Sequence, residues 1–408
     1  MAALRALYSR LPEEVRRCTR PLNLVDEAAS LLPDAARERL VSATEAARQL
    51  LTLRLRRFPV RRLAGVGIGG APLSCVLGMD DLATRYWCRT LFAGVPREER
   101  VGEVSASGIV RAAADFRGEF DLALWQAPWP IGRLGRPHVR VPGLVTLWLP
   151  TDRPLEEVFA GDVPGQEQRR EEIRRVQRLG LATRLTRDAD AYERFRRALY
   201  EPYVRARFGD LAEPLPPHAF RHARRNGWLL LAERDGRPVA GALLEHWGET
   251  LRLRALGAEM DGPVRPAAAI ATCYYHVIRT AVERGFARLS FGTCRPVLSD
   301  GVLHYKRKWG GRLGPPLGRD GFLLRYRNTP GLRAALAVAP LILDLGHGEL
   351  AALGAVRDAD AELPALTPRL QAPGLASAAC LVDRLPRRAP VAIELVPPHV
   401  VWPPGVAA

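Results

Sequence analysis

Residues 228–326 carry a succession of apolar patterns that constrains the fold more than any other feature of the sequence. Alternating runs typical of strands follow one another with helical runs between them, and Gly, Asp and Pro separate the segments. The order is β-β-β-α-β-α-β, and it predicts an α/β (α+β) domain with a mixed central sheet. The segments are strands at 228–234, 238–246 and 250–257, a helix at 265–284, a strand at 287–292, a helix that contains 305–309, and a strand at 322–326.

The rest of the chain divides where the composition changes. Apolar residues at three- and four-residue spacing predict a helical N-terminal extension, and a Pro-rich break at 213–217 separates two larger domains. The last residues are rich in Ala, Pro and Leu without a clear period, so they are either a small appendage or poorly ordered. The predicted divisions are 1–55 for the extension, 56–212 and 213–352 for the two domains, and 353–408 for the tail.

The charge of the chain favours a polyanionic partner. The formal net charge is +16 and the pI is near 10.4, as in proteins that meet nucleic acid, an anionic membrane surface or phosphate-bearing small molecules. No nucleic-acid-binding motif accompanies it, and an Arg-rich composition also explains it.

Cysteine usage and hydropathy bear on the compartment. The six cysteines are scattered without the spacing of a zinc site, so we expect reduced thiols and no bound metal. No segment is apolar and long enough to predict a signal peptide or a transmembrane helix. The sequence therefore predicts a cytoplasmic protein and gives no indication of its oligomeric state.

Lysine is confined to one short segment. Of the 60 basic residues only Lys306 and Lys308 are lysines, and the other 58 are arginines. An ammonium is a compact charge with an adjustable pKa, whereas a guanidinium is a planar fork that stays charged, so the two are not interchangeable in a site. The segment 305–309 is therefore either a functional site or a continuation of the basic surface that Arg307 and Arg312 also supply.

Three segments resemble a known enzyme family. The helix at 169–180, the long helix and strand at 265–292, and the run Tyr-Lys-Arg-Lys-Trp-Gly at 305–310 are similar, in this order, to the core of GNAT acyltransferases. The resemblance covers about residues 100–345 and is closest to the FemAB-like and BioF2-like acetyltransferase branch, which has two such domains in tandem. It implies tandem GNAT-like acyl-CoA N-acyltransferase domains, with acetyl-CoA or another acyl-CoA as donor substrate.

The same resemblance suggests roles for two residues of the lysine segment. Lys306 aligns with the lysine of the family, and Lys308 does not. If the family's use carries over, Lys306 contacts a phosphate or stabilises negative charge on the reacting carbonyl. Tyr305, on the same helix, is the candidate general acid that returns a proton to the departing thiolate or alcohol.

The start of the long helix is the candidate site for the donor. A helix N-terminus presents free N–H groups and a partial positive charge, which suit a phosphate. Gly262 permits close approach of the backbone, Arg265 can fork onto a phosphate, and Pro266 suits the first helical turn, with Val264 between them. The family's Q/R-x-x-G-x-G/A signature is missing, so an ordinary turn and helix cap is the alternative interpretation.

A base for the incoming amine is expected on the strands beside this site. Glu245 is the candidate, with His246 beside it and Glu259 just past the third strand. Neighbouring strand residues face opposite sides, so Glu245 and His246 cannot both face one cleft. Each is also compatible with a solvated or core position. Arg252 and Arg254 share a strand face and line either an anion-binding cleft or a solvated surface.

Two other motifs fail their context tests. The glycines at 65–70 match G-x-G-x-x-G, but Ala71-Pro72 follows and opens no helix, so a dinucleotide site is not predicted. Ser299, Asp300 and His304 are neighbours in sequence without the Gly-x-Ser-x-Gly elbow of a hydrolase.

The favoured function is transfer of an acyl or acetyl group from acyl-CoA to an amine of a small-molecule or cell-envelope precursor. A FemAB-type aminoacyl-tRNA-dependent peptidyltransferase is the first alternative, which the positive charge favours although no tRNA-binding arm is evident. A catalytically silent GNAT-like binding protein is the second alternative, which the missing signature favours.

Overall fold

The computed structural model describes two compact units. Residues 147–292 and 305–312 form the central unit, and the remaining described residues form the outer unit. The predicted extension at 1–55 lies outside the described residues. These are 56–115, 120–128, 139–160, 166–346, 348–358, 370, 372–384 and 400–401.

The strands and helices of the described residues are numbered in chain order. The strands are β1 (Arg57–Val66), β2 (Pro72–Gly78), β3 (Arg97–Ser105), β4 (Leu122–Ala127), β5 (Val139–Pro150), β6 (Ala182–Thr186), β7 (Gly227–Arg234), β8 (Arg237–Trp247), β9 (Thr250–Ala258), β10 (Arg288–Cys294), β11 (Arg312–Tyr326), β12 (Leu341–Gly346), β13 (Glu349–Asp358), β14 (Ser377–Arg384) and β15 (Val400–Val401). The helices are α1 (Asp81–Leu91), α2 (Ile109–Asp115), α3 (Leu155–Ala160), α4 (Gln166–Leu179), α5 (Ala189–Arg194), α6 (Glu201–Phe208), α7 (Pro217–Arg225), α8 (Pro266–Glu283), α9 (Gly301–Lys308) and α10 (Pro330–Val338).

The outer unit is built on a mixed sheet. β1 pairs antiparallel with β2 and β3, β2 pairs parallel with β4, and β4 pairs antiparallel with β11. Its core collects apolar side chains from these strands and from α1, where Trp87 is fully buried and meets Phe322 edge-on at 5.5 Å between ring centroids. The glycine-rich run at 65–70 ends β1 and leads into β2. It opens no helix, in agreement with the prediction that it is not a dinucleotide site.

The C-terminal residues contribute to a second sheet of the outer unit. Its strand order is β12-β13-β14-β15, with β13 and β14 parallel and the other two pairs antiparallel. The expected boundary at 352 therefore falls inside β13. In its described residues the predicted tail belongs to this sheet, because Ala378, Ala379 and Leu381 of β14 are buried in it.

The described residues confirm the predicted order of elements, most of which lie in the central unit. β6, β7, β8 and β9 are neighbours and antiparallel, and β10 adds to β9 in parallel after the α8 crossover. The sheet is therefore mixed, and the α/β class is confirmed. α8 packs on β7, β8 and β9 and against α4. At about 1.5 Å per residue, α8 is roughly 27 Å long.

Two of these elements show how closely the local sequence pattern is followed. β9 alternates as predicted: Leu251, Leu253 and Ala255 are buried, and Arg252 and Arg254 between them are partly exposed. The helical segment 189–208 is continuous but not uniform, because a π-helical turn, Phe195–Tyr200, separates α5 from α6.

The boundaries of the two units differ from the predicted domain boundaries. Residues 147–212, which include α4, belong to the central unit, whereas the sequence placed a boundary at 212. The domain limits derived from the sequence stay predictions.

The described residues also bear on the membrane and metal expectations. No helix in these ranges combines the length and apolarity that crossing a bilayer requires. No group of three or more His, Cys, Asp or Glu side chains in the same ranges is arranged to hold a metal ion. The cysteines there are free thiols, and Cys18 lies outside them.

Candidate active site

Strands β9 and β10 separate soon after they meet. Their parallel ladder contains three pairs, Thr250 with Arg288, Leu251 with Leu289 and Arg252 with Ser290. β9 nevertheless continues to Ala258 and β10 to Cys294. Beyond the third pair, the facing backbone groups of these two strands make no ladder bonds with each other, so the opening offers amides and carbonyls to an extended ligand.

Gly292 and Lys306 lie at this opening. Gly292 has φ +76°, a conformation that side chains disfavour. A methyl group at Gly292 would lie 3.3 Å from the Leu253 carbonyl oxygen and 3.9 Å from the Lys306 Nζ. Glycine therefore keeps space free between β9 and the ammonium. Lys306 is only 7 % exposed, so its charge acts in a largely water-excluded place, where electrostatic stabilisation is strong.

Tyr305 sits in an aromatic cluster beside Lys306. Its ring meets Tyr274 edge-on at 5.1 Å, and Tyr274 in turn stacks on the buried Trp309 at 5.7 Å. The Tyr305 hydroxyl is buried, and among the described residues it makes no hydrogen bond of good geometry. Burial, and then the charge of Glu172, hold the pKa of Tyr305 above its ordinary value. The phenol therefore keeps its proton at neutral pH, and the raised pKa makes it a weaker acid than an ordinary tyrosine.

Lys308 has a different environment from Lys306. Its Nζ lies 2.5 Å from Glu172 Oε1 and 4.3 Å from the centroid of the Tyr305 ring. This ion pair ties the end of α9 to α4 and holds a cation over the Tyr305 ring. The two lysines thus have different surroundings: Lys306 Nζ lies beside Gly292 at the opening, and Lys308 pairs with Glu172 over the Tyr305 ring.

Glu245 is the centre of a polar network on β8. His222 Nδ1 from α7 lies 2.7 Å from Oε1, and Arg254 Nε from β9 lies 3.2 Å from Oε2. Burial alone would raise the pKa of Glu245. The hydrogen bond from His222 and the charges of Arg254, His222 and Arg252 outweigh it and lower that pKa to about 2. Glu245 is therefore ionised under all ordinary conditions.

His246 faces the other side of the sheet, as strand geometry requires. Its ring lies 5.5 Å from Trp228 and 6.3 Å from Phe286. His246 therefore packs among aromatic rings and does not lie on the sheet face that carries Glu245.

A carboxylate lies against the loop before α8. Glu259 pairs with Arg237 through Oε1, and a side-chain carbon at Gly262 would collide with Glu259 Oε2. Val264 is buried and Arg265, the residue that caps α8, is exposed. Pro266 starts the helix as predicted. The backbone at Gly262 does approach another group closely, as predicted. That group is the Glu259 carboxylate, which is an anion.

Comparison with known proteins places the same residues in one family. Residues 166–307 match the family described as an acetyltransferase (GNAT) domain. This segment contains the separating strands, the long helix between them and both residues of the Tyr305–Lys306 pair. Residues 166–307 thus form a GNAT-like segment, the GNAT domain of this chain.

The GNAT domain begins at α4, before the boundary predicted at 212. α4, which lies within the predicted range 56–212, thus supplies Glu172 to the GNAT domain. None of the curated proteins is similar enough in sequence to be matched.

The solved structures that match this chain have low sequence identity to it and low TM-scores. FemX is 11% identical with a TM-score of 0.36, covering 62% of this chain and 80% of that one. L-PGS from Bacillus licheniformis is 12% identical with a TM-score of 0.35, covering 65% and 84%. A GCN5-related N-acetyltransferase from Kribbella flavida is 16% identical with a TM-score of 0.25, covering 69% and 93%.

Within the GNAT domain, the predicted site residues form three groups. Lys306 lies by the opening with Tyr305 next to it in the aromatic cluster, Glu245 lies with Arg254 on the sheet face, and Gly262 to Pro266 lead into α8. The sequence did not predict two ion-pair partners, His222 of Glu245 and Glu172 of Lys308. Each lies on an amphipathic helix among other charged residues, so nothing in the sequence distinguished it from a solvated side chain.

Proposed function

We propose that the GNAT domain transfers an acyl group from acyl-CoA to the amine of a small-molecule or cell-envelope precursor. The observation that carries this proposal is the buried Lys306 ammonium at the point where β9 and β10 separate. A thioester lying in this opening would have its carbonyl oxygen beside a cation in a largely dry environment. Such a charge stabilises the oxyanion that develops when an amine attacks.

The proposed reaction needs no covalent enzyme intermediate. The neutral amine attacks the thioester carbon, a C–N bond forms, and the oxyanion is stabilised by Lys306. Collapse of this intermediate breaks the C–S bond, and Tyr305 donates its proton to the departing thiolate. The tyrosine recovers a proton from solvent after the product leaves.

The acceptor amine must lose a proton during the reaction. Glu245 is a weak base, because its pKa is lowered to about 2. The hydrogen bond from His222 Nδ1 to Glu245 fixes the tautomer of the imidazole, so that Nε2 is the nitrogen that can accept a proton. We therefore assign the proton to His222, with Glu245 orienting it. Asn226, whose Nδ2 lies 3.3 Å from Nε2, is the group that an incoming amine or water would replace.

We place the phosphates of CoA at the N-terminus of α8, against the backbone of Gly262, Val264, Arg265 and Pro266. The exposed Arg265 supports this location, and the N-terminal end of an 18-residue helix adds a partial positive charge. The Glu259 carboxylate beside Gly262 opposes it.

An aminoacyl-tRNA donor is the second candidate, and the net charge of +16 favours it. The chemistry at Lys306 would be the same, because an aminoacyl ester also passes through an oxyanion. The two donors differ in the part of the molecule that would bind outside the opening, which is CoA in one and tRNA in the other.

Release of thiol from acetyl-CoA in the presence of amines tests the proposal. We expect amine-dependent release by the native protein and at least about a hundredfold loss in Lys306→Met, the range observed when a charge-stabilising donor is removed. Lys308→Arg is the matched control, because it keeps the charge opposite Glu172, and it should retain most of the activity. If acetyl-CoA is inert but aminoacyl-tRNA transfers its acyl group to the same amines, the second candidate replaces the first.

A further inference from the structure

One indole ring of the GNAT domain carries two arginines. Trp228 on β7 is partly buried and packs against His246 of β8, with 5.5 Å between the ring centroids. The guanidinium carbon of Arg187 lies 5.0 Å from the centroid of the Trp228 ring, and that of Arg284 lies 4.3 Å from it. Because both guanidiniums contact one ring, their carbons are no more than about 9 Å apart.

The two arginines come from distant parts of the chain, and each is held in place. Arg187 follows β6, and its Nε donates a hydrogen bond of 3.0 Å to the Gly227 carbonyl oxygen. Arg284 directly follows α8, whose C-terminal carbonyls carry a partial negative charge that favours a cation there. Contact with the indole orients each guanidinium, which makes its hydrogen bonds in its own plane. The ring therefore brings two oriented, exposed cations together.

The acids next to these two arginines in sequence are paired elsewhere. Asp188 pairs with Arg194 at 3.7 Å. Glu283 pairs with Arg279 at 2.5 Å. In the part of the chain that the structure describes, neither guanidinium on the Trp228 ring forms a salt bridge with an acid. Two neighbouring positive charges without a counter-charge attract a multivalent anion.

This pair of arginines is remote from the place proposed for the phosphates of CoA. Arg265 precedes α8, and Arg284 follows it. At about 1.5 Å per residue, the helix separates their backbones by roughly 27 Å. The two ends of α8 would therefore bind different phosphate groups.

We propose that Arg187 and Arg284 together bind a phosphate monoester or a diphosphate beside the Trp228 ring. A guanidinium donates to phosphate oxygens at about 2.8 Å, and two guanidiniums on opposite sides of one phosphate have their carbons roughly 8 Å apart. That spacing is within the limit that the shared ring sets. The ligand is either a soluble phosphate ester or a lipid with a phosphate headgroup, since both present the same chemistry. This inference goes beyond the proposed function and does not depend on it.

Calorimetric titration of the full chain with inorganic pyrophosphate tests the inference. We expect the native protein to bind it, and the affinity to fall about tenfold or more in the double variant Arg187→Gln/Arg284→Gln, because hydrogen bonds to a charged group are lost. Arg221→Gln/Arg225→Gln is the matched control. It lowers the net charge by the same amount at two exposed positions of α7, and it should bind pyrophosphate as the native protein does.

A second arm distinguishes the two sources of phosphate. The protein is sedimented with vesicles of phosphatidylcholine that contain phosphatidate and with vesicles of phosphatidylcholine alone. Binding that requires phosphatidate and is lost in Arg187→Gln/Arg284→Gln assigns the site to a lipid headgroup. Pyrophosphate binding without vesicle binding assigns it to a soluble ester.

Three results would overturn the inference. They are equal pyrophosphate affinity of the native protein and Arg187→Gln/Arg284→Gln, an equal loss in the control pair, and binding of a short RNA by a protein that binds neither pyrophosphate nor vesicles. The first two would mean that the chain attracts anions only through its overall charge. The third would replace the phosphate ester by a polynucleotide. None of these measurements involves acyl transfer, so their outcome is independent of the proposed function.

Discussion

Replacing Glu245 by Gln should destabilise the central sheet by an amount that depends on pH. A carboxyl whose pKa moves from 4.5 to about 2 on folding stabilises the folded state by about 3 kcal/mol at neutral pH. Because the folded pKa is the lower one, this contribution is complete above pH 4.5 and is lost as the pH falls towards 2. The native protein should therefore exceed Glu245→Gln by about 3 kcal/mol at pH 7 and by about 1 kcal/mol at pH 3.

Urea unfolding at pH 7 and pH 3 measures this difference. Hydrogen exchange of the β8 and β9 amides, followed in the same samples, assigns the free energy to this sheet rather than to the whole chain. Glu249→Gln is the matched control, since Glu249 is an exposed glutamate in the turn that follows β8. A difference of the same size at both pH values, or an equal loss in Glu249→Gln, would refute the argument that His222 and Arg254 hold an ionised Glu245.

Three further substitutions probe the residues around the opening. Glu259→Gln should tighten acetyl-CoA binding by about threefold to tenfold in calorimetry, because a negative charge beside the phosphates disappears; unchanged affinity would move the phosphates away from Gly262. Tyr305→Phe should lower kcat about a hundredfold for acetyl-CoA without lowering the melting temperature, and the loss should shrink for a thioester whose thiol is acidic; an equal loss for both donors would exclude it as the general acid. Glu172→Gln should destabilise the protein by about 2 kcal/mol, because Lys308 loses its partner in a mostly buried place, and a loss below about 0.5 kcal/mol would show the pair to be solvent-screened.

Local patterns were sufficient to predict the core of the GNAT domain. The alternation of β9, the two-residue turn between β7 and β8 and the uninterrupted apolar face of α8 each depend on neighbours within a few residues. The resemblance then singled out Lys306 over Lys308, a choice that the residues alone left open.

The parts that sequence did not predict depend on distant contacts. Glu172 and Lys308 are 136 positions apart, and either could have been a solvated helix residue. His222 meets Glu245 only because α7 packs across β8, which no periodicity encodes. The short ladder between β9 and β10 is likewise a tertiary property, because both strands continue beyond it.

The central claim is that the acyl group of the donor lies beside Lys306, and the two-lysine composition allows a direct test. Protein labelled with 13C at lysine should show two side-chain Cε–Hε resonances, which Lys306→Arg and Lys308→Arg assign. The account predicts that saturating acetyl-CoA shifts the Lys306 resonance strongly and leaves that of Lys308 nearly unchanged. A donor that binds without moving the Lys306 resonance, or that moves only Lys308, would contradict it.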